Sequence, residues 1–177
     1  MAARIIMTVE GDDVALAQKG DTGAFERLYR ASVSRIHSLA KRMAGEDAAD
    51  DLTQEVFIRA WQKLPTFRGE SAFDTWLHRL AVNLILTRRQ SIRKRESRQV
   101  GGPELLENLA GPSGVPGFGV DFERALKVLP AGAKEVFVLY DVEGFNHQEI
   151  ADRMGITTGT SKSQLHRARM MMRSFLA

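Results

Sequence analysis

Apolar residues along this chain recur at intervals of three and four, and stretches that alternate apolar with polar residues are scarce. That period belongs to amphipathic helices rather than strands. Between Asp51 and Leu64 the set Leu52, Val56, Phe57, Ala60, Trp61 and Leu64 marks one helix face, leaving Asp51, Gln54, Glu55, Ile58, Arg59 and Gln62 outside. Ile58 is the odd one out, a large apolar side chain on a polar face. Pro65 ends this helix, because its ring lacks the N–H and clashes with the preceding turn. A loop, TFRGES, leads to a second helix with Phe73, Trp76, Leu77, Leu80, Ala81, Leu84 and Ile85 inward. On its opposite face Arg79, Asn83 and Thr87 stand four apart and run into Arg88. This first half of the chain reads as all-α.

The segment 101–119, GGPELLENLAGPSGVPGFG, holds six of the fifteen glycines and three of the five prolines. Both residues interrupt helices and strands, so the pattern predicts a linker between two domains. After it, Phe122, Leu126 and Leu129 predict a short helix stopped by Pro130, and Val136, Phe137, Leu139 and Tyr140 a second ending near Gly144. Asn146 is a good N-cap, and Glu149 stands three residues on, where it reaches back to complete a capping box. Ile150, Ala151 and Met154 face inward until Gly155 breaks the helix. The polar turn Thr157-Thr158-Gly159 then precedes a last helix, expected to begin near Thr160 and run toward Phe175. Helix, glycine-containing turn and basic helix make the outline of a helix-turn-helix, the alternative being a tight helical hairpin in another α-bundle. The expected architecture is two small helical domains, 10–99 and 121–177, with 100–120 as linker.

Charge sharpens this picture. The formal net charge is only +3, but Arg88, Arg89, Arg93, Lys94, Arg95 and Arg98 cluster around the single acid Glu96, and the stretch from Lys162 to Arg173 has four bases and no acid. Two basic patches far apart in sequence suit an anionic polymer that touches both. Cysteine is absent, which excludes disulfides and thiolate metal sites. The N-terminal apolar run is too short for a signal peptide and none elsewhere is long enough to span a bilayer, so the expectation is a cytoplasmic protein without membrane insertion.

In a helix-turn-helix the second helix projects its N-terminal side chains into the major groove, and its basic residues also meet phosphates. Thr160, Lys162, Ser163, His166 and Arg167 occupy adjacent positions suited to that task, while Leu165 points to the core. Arginine bonds guanine edges bidentately, and lysine or serine takes phosphate or base. In the first half, Trp61, Phe67, Phe73 and Trp76 flank a loop beside a basic helix, and aromatics next to cations suit unstacked bases. Helical spacing assigns Trp61, Phe73 and Trp76 to core packing and leaves Phe67 the freest. Catalytic and metal readings find no support. The histidines His37, His78, His147 and His166 lack ligand spacing, and there is neither a phosphate-cradling loop nor a nucleophile elbow. The acids Glu46, Asp47, Asp50, Asp51 and Glu55 are explained by the dipole at a helix N-terminus. No enzymatic activity and no cofactor is expected.

Three ordered blocks carry a family resemblance: GDTGAFERLYR, DDLTQEVFIRAWQKLPTFRGESAFDTWLHRLAVN, and HQEIADRMGI followed by GTSKSQLHRAR. Over about Asp13 to Phe175 the chain resembles the extracytoplasmic-function (group 4) sigma factors of bacterial RNA polymerase. The resemblance implies a region 2 domain that binds the polymerase clamp and melts the minus-ten element, and a region 4 domain that binds the flap and reads the minus-thirty-five element. It implies core binding through Asp51, Gln54, Glu55, Ile58 and Arg59. It implies minus-ten contacts from Phe67, Arg68, Ser71, Arg79, Asn83, Thr87 and Arg88, with a flipped base captured at the loop and Asn83. It implies minus-thirty-five contacts from Thr160, Lys162, Ser163, His166 and Arg167. The implied partners are core RNA polymerase, promoter DNA and an anti-sigma factor. Two positions depart from the family pattern. Ser161 stands where valine is usual, with a hydroxyl expected to bond a backbone carbonyl. Gln164 stands where arginine is frequent, which implies weaker and less salt-dependent upstream binding. The reading from another class is a stand-alone helix-turn-helix regulator whose helical first domain senses a ligand or partner, in which the exposed acidic face with Ile58 has no explained purpose.

Overall fold

The computed structural model describes residues 11–99 and 118–176, and every described element is helical. Most of the expected linker lies outside the described residues. The chain divides into two compact units, Met1–Arg89 and Gln90–Ala177.

The first unit contains α1 (11–18), α2 (Thr22–Ala44), α3 (Glu46–Lys63) and the start of α4 (Phe73–Gln99). Asp21 caps α2 by accepting from the Ala24 N–H at 2.9 Å. A single residue, Gly45, joins α2 to α3 at φ 97°, a conformation that a Cβ would strain. Edge-on ring pairs Tyr29–Phe57 (4.6 Å) and Phe25–Trp61 (4.9 Å) step along α2 and α3 in opposite senses, so the two helices are antiparallel. Their shared core includes Ile36, Leu39, Met43, Leu52 and Val56, and α4 adds Leu77, Ala81 and Ile85. Ion pairs fix the remaining helices to α2. Arg27 grips Asp13 of α1 bidentately, and Asp74 at the start of α4 accepts from Arg35 (2.7 Å) and from Ser32 (3.1 Å).

Several expectations shift. Helix α3 begins at Glu46, with Glu46 and Asp47 in the first turn where the dipole favours them, so the acid run does mark a helix start. Trp61, Trp76, Leu80 and Leu84 are half-buried rather than buried, while Thr53, Val82 and Leu86 are buried beyond the expected set. Thr53 tolerates burial because its hydroxyl donates to the Ala49 carbonyl at 2.7 Å. The unit boundary falls inside α4, ahead of residue 99. The stretch QSIRKRESRQ carries one apolar residue, Ile92, and so offers a bundle nothing to bury.

The second unit contains α5 (Phe118–Lys127), α6 (Ala131–Phe137), a π-helical turn (Val138–Val142), α7 (His147–Met154) and α8 (Thr158–Leu176). Helix α5 starts three residues inside the expected linker. Helix α8 packs on α5, α6 and α7 around Leu126, Val136, Leu139, Ile150, Leu165 and Ala168. The capping box at Asn146 and Glu149 forms as expected. Among the described residues no helix is long and apolar enough to cross a membrane.

Candidate functional site

The outer face of α3 is assembled as the periodicity implies. Asp51, Gln54, Ile58 and Arg59 are exposed and Glu55 is half-buried. Ile58, 59% exposed, is the most exposed large apolar side chain among the described residues. Keeping a sec-butyl group in water costs free energy that a docked partner would recover. Arg88 of α4 lies 4.0 Å from Glu55, so the α3 and α4 faces adjoin across one solvent-exposed ion pair.

On α4, Arg79, Asn83, Thr87 and Arg88 are all exposed. The Thr87 hydroxyl donates to the Asn83 carbonyl at 2.8 Å, which leaves its lone pairs outward. The preceding loop is more constrained than expected. A 3₁₀ turn, Leu64–Thr66, closes with the Phe67 N–H donating to the Leu64 carbonyl at 3.0 Å. The Phe67 ring lies 5.1 Å from Trp76 and 6.4 Å from Phe73, half-buried in a three-ring cluster. Phe67 is therefore not free, because the loop folds it back onto rings one turn into α4. The exposed tip is Arg68, Gly69 and Glu70, with Gly69 at φ 70° and Ser71 half-buried behind it.

In the second unit α7 ends at Gly155, whose left-handed φ of 65° turns the chain. Helix α8 then starts at Thr158, two residues before the expected Thr160, because Thr157 serves as its cap: the Thr157 Oγ1 accepts from the Thr160 N–H at 3.0 Å. Thr160, Lys162, Ser163, His166 and Arg167 are exposed, whereas Ser161, Leu165 and Ala168 are buried. Two of the exposed hydroxyls are already engaged. Thr160 Oγ1 lies 2.9 Å from Thr157 Oγ1, and Ser163 Oγ donates to the Gly159 carbonyl at 2.6 Å. Lys162, His166 and Arg167 thus carry the cationic and imidazole donors of this face.

Arg169, the remaining base of the motif, turns aside. It grips Asp141 of the π turn bidentately (2.6 and 3.0 Å), and its guanidinium sits 5.7 Å from the Tyr140 ring centre. The hydrogen bond from Arg169 to Asp141 holds the guanidinium even further above its ordinary range. Tyr140 also stacks on His147 at 4.4 Å, and His147 Nδ1 lies 2.9 Å from the Oγ of fully buried Ser161. The Ser161 hydroxyl therefore meets an imidazole, not the expected backbone carbonyl, because α7 brings His147 against the inner side of α8. Gln164 is half-buried. Its amide lies against Gly132 of α6, 3.6 Å from where a Cβ there would stand. None of these partnerships has a local sequence signal, since each joins residues on different elements. No group of three or more His, Cys, Asp or Glu among the described residues is arranged to hold a metal ion.

Residues 28–96 match the model of sigma-70 region 2 and residues 120–172 that of sigma-70 region 4. The chain is 31% identical to the ECF RNA polymerase sigma factor SigE of Mycolicibacterium smegmatis over 97% of its own length and 66% of that protein's. It is 31% identical to the ECF RNA polymerase sigma-E factor of Escherichia coli K12, covering 88% of each chain. Among solved structures it superposes on the sigma factor RpoE of Bartonella quintana, crystallised with the anti-sigma factor NepR, at a TM-score of 0.58 and 26% identity, covering 86% of this chain and 96% of that one. The fold is shared with CnrH, solved in complex with the cytosolic domain of CnrY, at a TM-score of 0.55 and 22% identity over 95% and 97% of the two chains.

Proposed function

The chain belongs to the ECF RNA polymerase sigma factors, which direct promoter-specific transcription initiation, and on that premise we propose how its surfaces divide the work. As an alternative sigma factor of the group 4 class, it binds core RNA polymerase and promoter DNA in the cytoplasm and acts by recognition rather than catalysis. Residues 10–99 form region 2, 100–120 the linker and 121–177 region 4. Asp51, Gln54, Glu55, Ile58 and Arg59 dock on the polymerase clamp. Phe67, Arg68, Ser71, Arg79, Asn83, Thr87 and Arg88 engage the minus-ten element. Thr160, Lys162, Ser163, His166 and Arg167 meet the minus-thirty-five element in the major groove, while region 4 rests on the flap. An anti-sigma protein regulates the factor, a reading supported by the RpoE relative, which was solved in complex with the anti-sigma factor NepR.

One observation carries the reading: a single chain keeps an apolar side chain in water on a polar helix, Ile58 on α3, and also presents a solvent-facing basic helix after a glycine turn. Duplex binding by a stand-alone regulator requires only the second feature. The test combines purified protein with sigma-free core polymerase and a library of short promoters, and sequences the transcript starts. Starts that need both components and vanish with Asn83→Ala are expected. Failure to bind core or to direct starts, with retention of particular duplexes, would instead establish the stand-alone regulator.

A further inference from the structure

One residue outside the matched family regions reaches into the minus-ten machinery. Gln18 closes α1, ten residues before the region 2 match begins. Its Nε2 donates to the carbonyls of Leu64 (3.1 Å) and Phe67 (2.7 Å), 46 and 49 positions away in the chain. Both partners are carbonyl oxygens, so only the NH₂ end of the amide fits here and both of its hydrogens are engaged. The backbone on either side is fixed. After Gln18, Lys19 and Asp21 both donate to the Leu16 carbonyl, at 3.0 and 3.1 Å, and Gly20 adopts φ 95° to make the turn. On the loop side, the Leu64 carbonyl already accepts from the Phe67 N–H, Leu64 is wholly buried, and the Phe67 ring lies against Trp76.

We propose that Gln18 is a positioning residue for minus-ten recognition, its amide pinning the Leu64–Phe67 turn so that Arg68 to Ser71 are presented already ordered to an unpaired base. The proposal rests on the assignment of that loop to the minus-ten element. Phe67 is where the constraint matters. Its N–H, carbonyl and ring are all held, so the next residue, Arg68, leaves the turn in one direction. A loop ordered before binding avoids the entropy loss that a wandering one meets on contact, and base capture already costs unstacking energy. Through this amide α1 contributes to the site.

The experiment uses full-length protein assembled with core polymerase. Affinity for a fluorescent single-stranded minus-ten oligonucleotide is measured for the unaltered protein, for Gln18→Met, of similar length without a donor, and for Gln18→Glu, which turns a carboxylate on two carbonyls. Arg68→Ala and Asn83→Ala serve as controls, and core affinity and the thermal midpoint are read on every sample. Loss of one or two net hydrogen bonds should weaken oligonucleotide binding by about three- to tenfold in Gln18→Met, and more in Gln18→Glu, with core affinity unchanged. Oligonucleotide binding unchanged in Gln18→Met while the two controls lose it would overturn the pin alone. Unchanged binding in the controls as well would overturn the assignment of the loop, and the pin with it. A loss of core affinity and thermal midpoint in proportion to the loss of oligonucleotide would reduce Gln18 to a structural contact. Exchange of the Gln18 side-chain NH₂ with solvent, followed by NMR in the unaltered protein, needs no variant. Slow exchange supports the pin, and exchange as fast as a free glutamine amide rejects it.

Discussion

At the scale of single residues, the side chains of this protein that look most alike in sequence do different work. Ser161 and Ser163 sit two positions apart on one helix, yet Ser161 is wholly buried against His147 while Ser163 faces water. Ser161→Ala should cost about 1 kcal/mol, the usual worth of one hydrogen bond, and urea denaturation would read it. Ser163→Ala should change stability by a few tenths of that, since its hydroxyl only bonds back along its own exposed helix. Asp74 supplies a pH test. The hydrogen bond from Arg35, aided by its charge and by Ser32 and opposed by desolvation, lowers the carboxyl below the ordinary aspartate value of 3.8. A depressed acid stabilises the fold above its unfolded-chain pKa, and that contribution is lost as pH falls through the lower folded value. The gap in urea midpoint between the unaltered protein and Asp74→Asn should therefore hold steady above ~pH 5 and close in stronger acid.

At the scale of elements, the helix-turn-helix shows both what local pattern reveals and where it stops. The capping box at Asn146, the break at Gly155 and the exposure of Lys162, His166 and Arg167 were legible because each depends on residues within one helical turn. Gly155→Ala should destabilise the second unit by about 1 kcal/mol, because open space surrounds the missing Cβ and only the positive φ opposes it. Chemical denaturation checks this. The π turn was not legible. Its extra residue places Tyr140 and Asp141 where α8 passes, and Asp141 takes Arg169 out of the basic set. A count of charges along GTSKSQLHRAR thus overstates the phosphate contacts. Binding of holoenzyme to a minus-thirty-five duplex across a salt series separates the two kinds of base. Lys162→Ala or Arg167→Ala should reduce the log–log salt slope by about 0.9 each, and Arg169→Ala should leave it unchanged.

At the scale of the whole molecule, charge is divided unevenly. Residues 1–100 hold 17 bases and 13 acids, and residues 101–177 hold 8 and 9. A recognition helix within so weakly charged a half draws little affinity from counterion release, so duplex binding should be weak for the isolated protein and strong in holoenzyme. Ile58 is the matching test on the polymerase side. Ile58→Ser should weaken core binding by about thirtyfold if this side chain is a central anchor, with little change in thermal midpoint because most of the side chain already stands in water. Titration of labelled core reads the first effect and calorimetry the second. The sequence by itself determined the helical class, the order of the two units and the outward faces of α3, α4 and α8. Those follow from a 3.6-residue period and from caps, which act within a few positions. Only the tertiary structure decided which outward or polar side chains are already taken: Gln18 by the loop 49 positions on, Arg169 by Asp141, Ser161 by His147. A hydrogen bond depends on distance to a few tenths of an ångström, and residues far apart in the chain reach that distance only when the helices pack.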